Sequence, residues 1–268
     1  MVFMKESQLG CIPSHWTLVE LGQVCFLRHE VVMNNEDSKL CYIGLEHVDS
    51  KNEYSIKSGF ISEVKGFKCK FYPNDILYSK FSSKLYKTVL SAFEGICSTE
   101  ILIISCTKLI LPEFFYCLTH TQAFLDHIAK ITVPVITRKI SWMSLASFEF
   151  KLPTIAEQHS IAKVLQTVLS TKEICLKEKD LERERKAALV AYLNNNAENS
   201  KIQSIHSDND LKINLHKDEI QQKIETLIKT CDAKIQSIEE EIILLDEFFQ
   251  AIAEQFMSGQ LSVLSMLE

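Results

Sequence analysis

A chain of 268 residues with 46% hydrophobic content is long enough for one globular domain plus an appendage, and too apolar to be disordered. It has no apolar run of about 18 residues, and its first residues, Met1-Val-Phe-Met-Lys-Glu-Ser7, lack the regions of a signal peptide. None of the nine Cys forms a Cys-x-x-Cys pair, so the expectation is a cytoplasmic protein with reduced, mostly buried thiols, not a secreted or membrane one.

The net charge of −6 argues at face value against nucleic acid, but the charge is unevenly spread. Residues 1–153 carry 16 Lys and Arg against 15 Asp and Glu, whereas residues 154–268 carry 13 against 20. Within 51–90, eight Lys face only Glu53, Glu63 and Asp75. Such a locally basic segment can serve as a phosphate-facing surface; a solvated Lys-rich loop explains it as well.

In chain order, Leu9 to Trp16 is a turn-rich entry, and Trp16, Leu18, Val19 and Leu21 begin the packing before Gly22 breaks the run. Leu40 to Val48 reads as a largely buried strand. Residues 59–72 alternate polar and apolar around Gly66, as a hairpin would. Pro73-Asn74 is a turn, Asp75 to Phe81 a strand, and Thr88 to Phe93 another; Glu94-Gly95 turns the chain into Ile101 to Cys106, a central strand. Pro112 opens one helix whose apolar face is Phe115, Leu118, Phe124, Leu125 and Ile128. Residues 131–142 are irregular and carry Arg138-Lys139, and Ser147 to Leu152 is extended. The whole reads as an α+β fold: a strand-rich domain over 1–152, then two long helices.

Pro153 with Thr154 and Glu157 is a capping box that launches the first helix, over 153–194. Its apolar positions include Ile161, Leu165, Val168, Cys175, Leu181, Leu189 and Leu193. The second helix, over 219–260, has a cleaner pattern. Ile224, Ile228, Cys231, Ile235, Ile238, Ile242, Leu245, Phe249, Ile252 and Phe256 step by fours and threes, a coiled-coil seam, and Ser258-Gly259 supplies the stop. An offset of 63 carries Ile161 onto Ile224 and Leu165 onto Ile228, which reads as a diverged internal repeat; two unrelated amphipathic helices could also be slid into such agreement. Leu227, Ile243, Leu244 and Phe248 form a second apolar face. Residues 195–218, rich in Asn, Ser and Asp, read as a polar linker, and 261–268 as a tail.

Chemistry-bearing motifs are missing: no Gly-x-Gly-x-x-Gly, P-loop or Gly-x-Ser-x-Gly, and no Asn/Asp-Pro-Pro-Tyr/Phe stretch of the kind that holds a target base in amino-methyltransferases. His120 and His127 lie seven apart with no third ligand nearby, so a surface or core role outweighs a metal site. No catalytic or metal-binding residue is assigned.

Five stretches in order carry a resemblance: Gly10-Cys-Ile-Pro13 with Trp16 and Leu21-Gly22; Tyr42 to Val48; Asp75 to Lys80; Gly95 to Glu100; and Leu152 to Gln158 with Ile161-Ala162. Through them the chain resembles the DNA-specificity subunit of type I restriction-modification systems, in a half-length form with a single target-recognition domain. Taken singly, these stretches are core strands, a turn and a helix cap: scaffold features. The family often has Gly where this chain has Asn74, and the resemblance to its domain–helix–domain–helix order stops short of a second recognition domain, in whose place stands the Asn-rich linker.

The resemblance implies a non-catalytic subunit that reads half of a split double-stranded DNA site. Its two helices would form an antiparallel coiled coil through Ile161, Leu165, Val168, Ile228, Ile235, Ile242, Leu245, Phe249 and Ile252. They would set the spacing, dock methyltransferase subunits and join two copies into a homodimer. It implies no cofactor on this chain: S-adenosylmethionine and ATP would belong to the methyltransferase and to a restriction motor subunit, where one is present. The competing expectations are a coiled-coil adaptor that binds only protein, and a regulatory half-subunit that binds the methyltransferase without delivering DNA. For DNA contacts the basic residues near loops stand out, Lys80, Lys84, Lys87, Arg138 and Lys139, with Arg138 the candidate for reading a guanine. Replacing Lys84 and Lys87 together by Ala is expected to weaken binding to all duplexes and flatten the salt dependence, measured by titration across a salt series; unchanged affinity at low salt would remove both from the interface.

Overall fold

Ile101 to Cys106 leaves almost no polar side for water, and in the computed structural model of the chain these residues are an inner strand, buried on both faces. The structure describes residues 4–5, 12–34, 40–45, 59–60, 66–81, 88–132, 139–202 and 210–260. The chain divides into two units, Met1–Glu173 with Glu247–Glu268, and Ile174–Asp246.

The first unit opens with β1 (Met4–Lys5), β2 (Ile12–Pro13), β3 (Thr17–Glu20), α1 (Leu21–Val24), β4 (Cys25–Arg28), β5 (Val31–Asn34), β6 (Cys41–Ile43), β7 (Gly59–Phe60) and β8 (Gly66–Phe71). It continues with β9 (Ile76–Ser79), β10 (Thr88–Leu90), β11 (Gly95–Cys97), β12 (Ile101–Cys106), α2 (Pro112–Leu118), α3 (Gln122–Thr132), α4 (Trp142–Ala146) and β13 (Glu149–Leu152). One sheet runs β10-β9-β12-β4, all antiparallel; the other runs β5-β8-β11-β6-β7, with β11 and β6 parallel. Leu77, Val89, Ile101 and Ile103 of the first meet Ile43, Cys69, Phe71 and Cys97 of the second in one buried cluster, so the sheets pack face to face. The alternate face of β9 turns Tyr78 to Phe124 of α3, ring centroids 6.0 Å apart.

Four local expectations are corrected. The alternation over 59–72 is not a hairpin: β7 pairs with β6, and β8 lies between β5 and β11. Period-two patterning reports which face is buried, not which strand is the partner. Gly95 is not a turn residue but begins β11, where a Cβ would lie 2.6 Å from the Cys41 carbonyl oxygen and from the Phe71 ring. The helix opened by Pro112 breaks after Leu118. There the Thr119 and Thr121 hydroxyls bond back to the Tyr116 and Leu118 carbonyls, the backbone tightens to i→i−3 bonds, and α3 restarts at Gln122. The 131–142 stretch holds the end of α3 and the start of α4, with 133–138 outside the described residues.

Asn74 adopts φ +70°, the left-handed region that Gly reaches freely and Asn tolerates best among other residues. This explains how Asn replaces Gly ahead of Asp75. The Asp75 carboxylate is buried and accepts from Arg28 Nε (2.9 Å), the Tyr72 N–H (2.8 Å) and the Ser105 hydroxyl, tying the turn to β4 and β12. His120 is buried with Nδ1 2.8 Å from the Tyr116 carbonyl, and His127 Nε2 lies 2.9 Å from the Ser144 carbonyl, so both serve the scaffold.

The helix α5 (Ile155–Ile202) starts at the expected capping box. The Thr154 N–H donates to Glu157 Oε2 (3.0 Å) and the Glu157 N–H reaches back to Thr154 Oγ1 (3.4 Å). The same carboxylate accepts from Trp16 Nε1 at 3.1 Å and meets His15 Nε2 at 3.0 Å. Next to it, Gln158 is fully buried: its Nε2 donates to the Leu109 and Pro153 carbonyls, and its Oε1 accepts from the Leu111 N–H just ahead of α2. Ile161, Leu165 and Val168 of α5, and Phe249, Ile252 and Phe256 of α6 (Asp210–Ser258), are buried within this unit. Gln250 clamps the break between α2 and α3 from α6, donating to the His120 carbonyl and accepting from the Gln122 N–H. α6 ends in a Schellman motif: the Gln260 N–H bonds the Gln255 carbonyl, the Gly259 N–H bonds the Phe256 carbonyl, and Gly259 has φ +74°.

In the second unit α5 and α6 run antiparallel. Arg183 pairs with Glu239 and Lys186 with Asp232, while Lys234 bridges Glu178 and Glu182. Ile224, Cys231 and Ile238 are buried, whereas Ile228, Ile235, Ile242 and Leu245 are half-buried, because one neighbouring helix covers only the centre of a seam. On α5 the buried positions step by seven, Cys175 to Glu182, and Leu181 is 64% exposed, not inward as expected. The hydrogen bond from Lys234 holds the Glu182 carboxyl below the ordinary range against the opposing effect of burial, and donating to the Glu178 and Glu182 carboxylates raises the Lys234 ammonium. The expected 195–218 linker is largely helical: α5 continues to Ile202 and α6 begins at Asp210, leaving 203–209 outside the described residues.

Replacing Asn74 by Gly is expected to be near neutral, whereas Val at this φ should cost about 1–2 kcal/mol by urea unfolding. Burial would raise the Glu157 carboxyl, but hydrogen bonds from His15, Thr154 and Trp16 outweigh it and hold the group below its ordinary 4.5. A depressed carboxylate stabilises the fold above its unfolded value and loses that contribution as pH falls through the folded one. Acidification from about pH 5 to about pH 3 should therefore lower the unfolding midpoint of the native chain more than that of Glu157→Gln.

Candidate nucleic-acid interface

β9 ends at Ser79 because the chain beyond it leaves the sheet to meet a distant segment. Phe81 forms an isolated antiparallel bridge with Lys139, and the Ile140 N–H donates to the Lys80 carbonyl at 2.7 Å. A third segment joins them: the Lys80 N–H donates to the Glu100 carbonyl at 2.9 Å and the Lys80 ammonium to the Thr99 carbonyl. Residues 80–81, 99–100 and 139–140 thus form one knot of backbone.

Two of the five basic candidates, Lys80 and Lys139, come together in this knot. Lys84, Lys87 and Arg138 lie outside the described residues. The Lys139 ammonium sits 5.1 Å above the Phe81 ring and 3.3–3.4 Å from the Glu100 carboxylate oxygens. The Lys139 side chain is 48% exposed and that of Glu100 34%, although Glu100 Oε2 itself is buried. Glu100 and Phe81 were not singled out as contact residues in the sequence. Each occurs in a recognised stretch or strand, but nothing local announces that they meet Lys139.

In the Lys-rich stretch 51–90, Lys51, Lys57, Lys65, Lys84 and Lys87 lie outside the described residues. Of its members among the described residues, Lys70 pairs with Glu94 at 2.8 Å and lies 5.0 Å from the Tyr72 ring, which offsets its charge. Lys68 covers the Tyr42 ring at 5.6 Å. A groove of about 700 Å³ opens elsewhere in the first unit, between α3, β13 and the end of α6. Its lining, including Leu118, Phe148, Phe150, Ala253 and Met257, is mainly apolar and brings no His or Cys to its carboxylates. Among the described residues no cluster of three or more His, Cys, Asp or Glu could hold a metal, and no helix is long and apolar enough to cross a membrane.

Comparison with known proteins places these features in a family. The family model for the type I restriction modification DNA specificity domain matches residues 13–184, more than half of the chain. The specificity subunit of the type I restriction enzyme EcoDI from Escherichia coli is 23% identical over 168 residues, covering 62% of this chain and 37% of that protein. The HsdS subunit from Thermoanaerobacter tengcongensis has a similar fold, with a TM-score of 0.52 at 18% identity over 68% of this chain and 48% of the other. A chain from a structure of type I restriction-modification complex assembly and conformational transition has a TM-score of 0.52 at 15% identity, over 74% of this chain and 51% of its own length. The chain spans about half the length of these structural relatives, and less of the curated one.

Proposed function

The chain belongs to the family of type I restriction-modification DNA specificity domains, and on that premise we propose that it is a non-catalytic, sequence-reading subunit of such a system. The domain up to Leu152 reads one half-site of a split duplex sequence. The observation that supports this reading is the knot of 80–81, 99–100 and 139–140, which brings two of the basic candidates, Lys80 and Lys139, from distant parts of the sequence to one place. Phosphate contacts from Lys80, Lys84, Lys87 and Lys139 would position the duplex, and Arg138 would read a guanine.

The helices dock methyltransferase subunits, which bring S-adenosylmethionine; ATP belongs to a motor subunit where one is present. Ile174, Leu181, Ile243 and Leu244 are all more than half exposed in the second unit, as is Phe248 in the first, which supports a protein partner on these helices. A homodimer completes the reading: two copies would supply the two half-sites of a split sequence. The complex would work in the cytoplasm, where the chromosome is.

Co-purification with the cognate methyltransferase, followed by a gel shift of the complex, tests the reading. The expected result is a methyltransferase complex that retards duplex DNA and contains two copies of this chain by analytical ultracentrifugation. Methylome sequencing should then report a split, symmetric motif that disappears with the gene. A chain that binds methyltransferase but never retards DNA is a regulatory half-subunit; one that binds other proteins and no methyltransferase is an adaptor. Either result overturns the proposal.

A further inference from the structure

We infer that Glu100 is a specificity-setting residue of this surface: its carboxylate neutralises Lys139 and so suppresses binding to DNA of arbitrary sequence. The inference rests on the DNA-reading role proposed above and assigns a function to a side chain that the scaffold does not need. The turn at 98–101 is held by other groups. The Glu100 N–H faces Ser98 Oγ, the Glu100 carbonyl accepts from the Lys80 N–H, and the Ile101 N–H bonds the Ser98 carbonyl. Among the described contacts, the carboxylate itself meets only Lys139.

The Lys139 side chain is 48% exposed, and an ion pair open to water on its cationic side contributes little to folding. Nor is Glu100 required to place Lys139, whose backbone is bridged to Phe81 and whose ammonium lies over the Phe81 ring. The pair therefore amounts to a positioned cation with an added negative charge beside it. On a surface that approaches phosphates, that charge has one strong physical effect. A free lysine gains affinity for any duplex by releasing counterions, and a carboxylate 3.3 Å away cancels that gain. Discrimination is a difference of affinities, so lowering the sequence-independent part raises it without any new contact to the target. The carboxylate also repels phosphates that approach without the register imposed by correct base contacts.

The test uses the full-length chain, in its methyltransferase complex where that is needed for binding, and a random-sequence duplex of about 30 base pairs titrated across a salt series. Glu100→Gln should bind this duplex several-fold more tightly near physiological salt, with a log–log salt slope steeper by about 0.9, the signature of one additional phosphate contact. Combining it with Lys139→Ala should abolish the gain, leaving the double variant level with Lys139→Ala alone. An unchanged slope in Glu100→Gln overturns the inference, as does a gain that survives loss of Lys139. If the native protein retards no DNA at any salt, the DNA-reading role itself falls; a native protein that binds alongside an indifferent Glu100→Gln variant leaves that role standing and removes only the brake.

Discussion

The fold of the first unit depends on two adjacent side chains at the start of α5. Gln158 is fully buried, and its amide satisfies the Leu109 and Pro153 carbonyls and the Leu111 N–H, groups that would otherwise lie unpaired under the helix. Glu157 closes the capping box while reaching Trp16 and His15 near the other end of the sequence. The turn at His15-Trp16, the loop before α2 and the first turn of α5 are therefore tied together by two neighbouring side chains, and loss of the Gln158 amide would leave the Leu109 and Pro153 carbonyls and the Leu111 N–H without it. An apolar pair could supply contact area here, but no partner for those carbonyls and that N–H.

Much of this was legible in advance because the signals were local. A capping box needs only residues three apart, a fully apolar run such as Ile101 to Ile104 has one reading in a sheet, and a seven-residue step is visible along any helix. What stayed hidden was pairing. The alternation of β8 is the same whether its neighbour is β7 or β5 and β11, and Gly95 looks like a turn until the Phe71 ring is seen against it. The break at Thr119 was missed because two threonine hydroxyls competing for carbonyls are individually weak. Glu182 was missed for a related reason: a carboxylate is a poor guess for a seam until Lys234 appears across from it.

The candidate interface shows the same division. Basic residue type and a loop setting drew attention to Lys80 and Lys139, yet their meeting depends on backbone bonds between segments some 20 and 40 positions apart, which no periodicity encodes. Glu100 was invisible as a contact residue because its meaning lies wholly in its partner. The offset of 63 between the helices also changes character. It is nine whole heptads, so it carries the positions spaced by seven from Ile161 through Glu182 onto those from Ile224 through Leu245 whatever the ancestry of the two helices.

The cap of α6 brings the two ends of the described chain together. A Cβ on Gly259 would lie 2.4 Å from Pro13 Cδ, so a residue near the finish of the sequence rests against one near its beginning. A short peptide could link these neighbours, and a chain so closed could be reopened outside the two long helices, in the interval between α5 and α6. Packing and peptide connectivity are thus separable in this molecule: the order in which its segments are strung is one of several that the same set of contacts would accept.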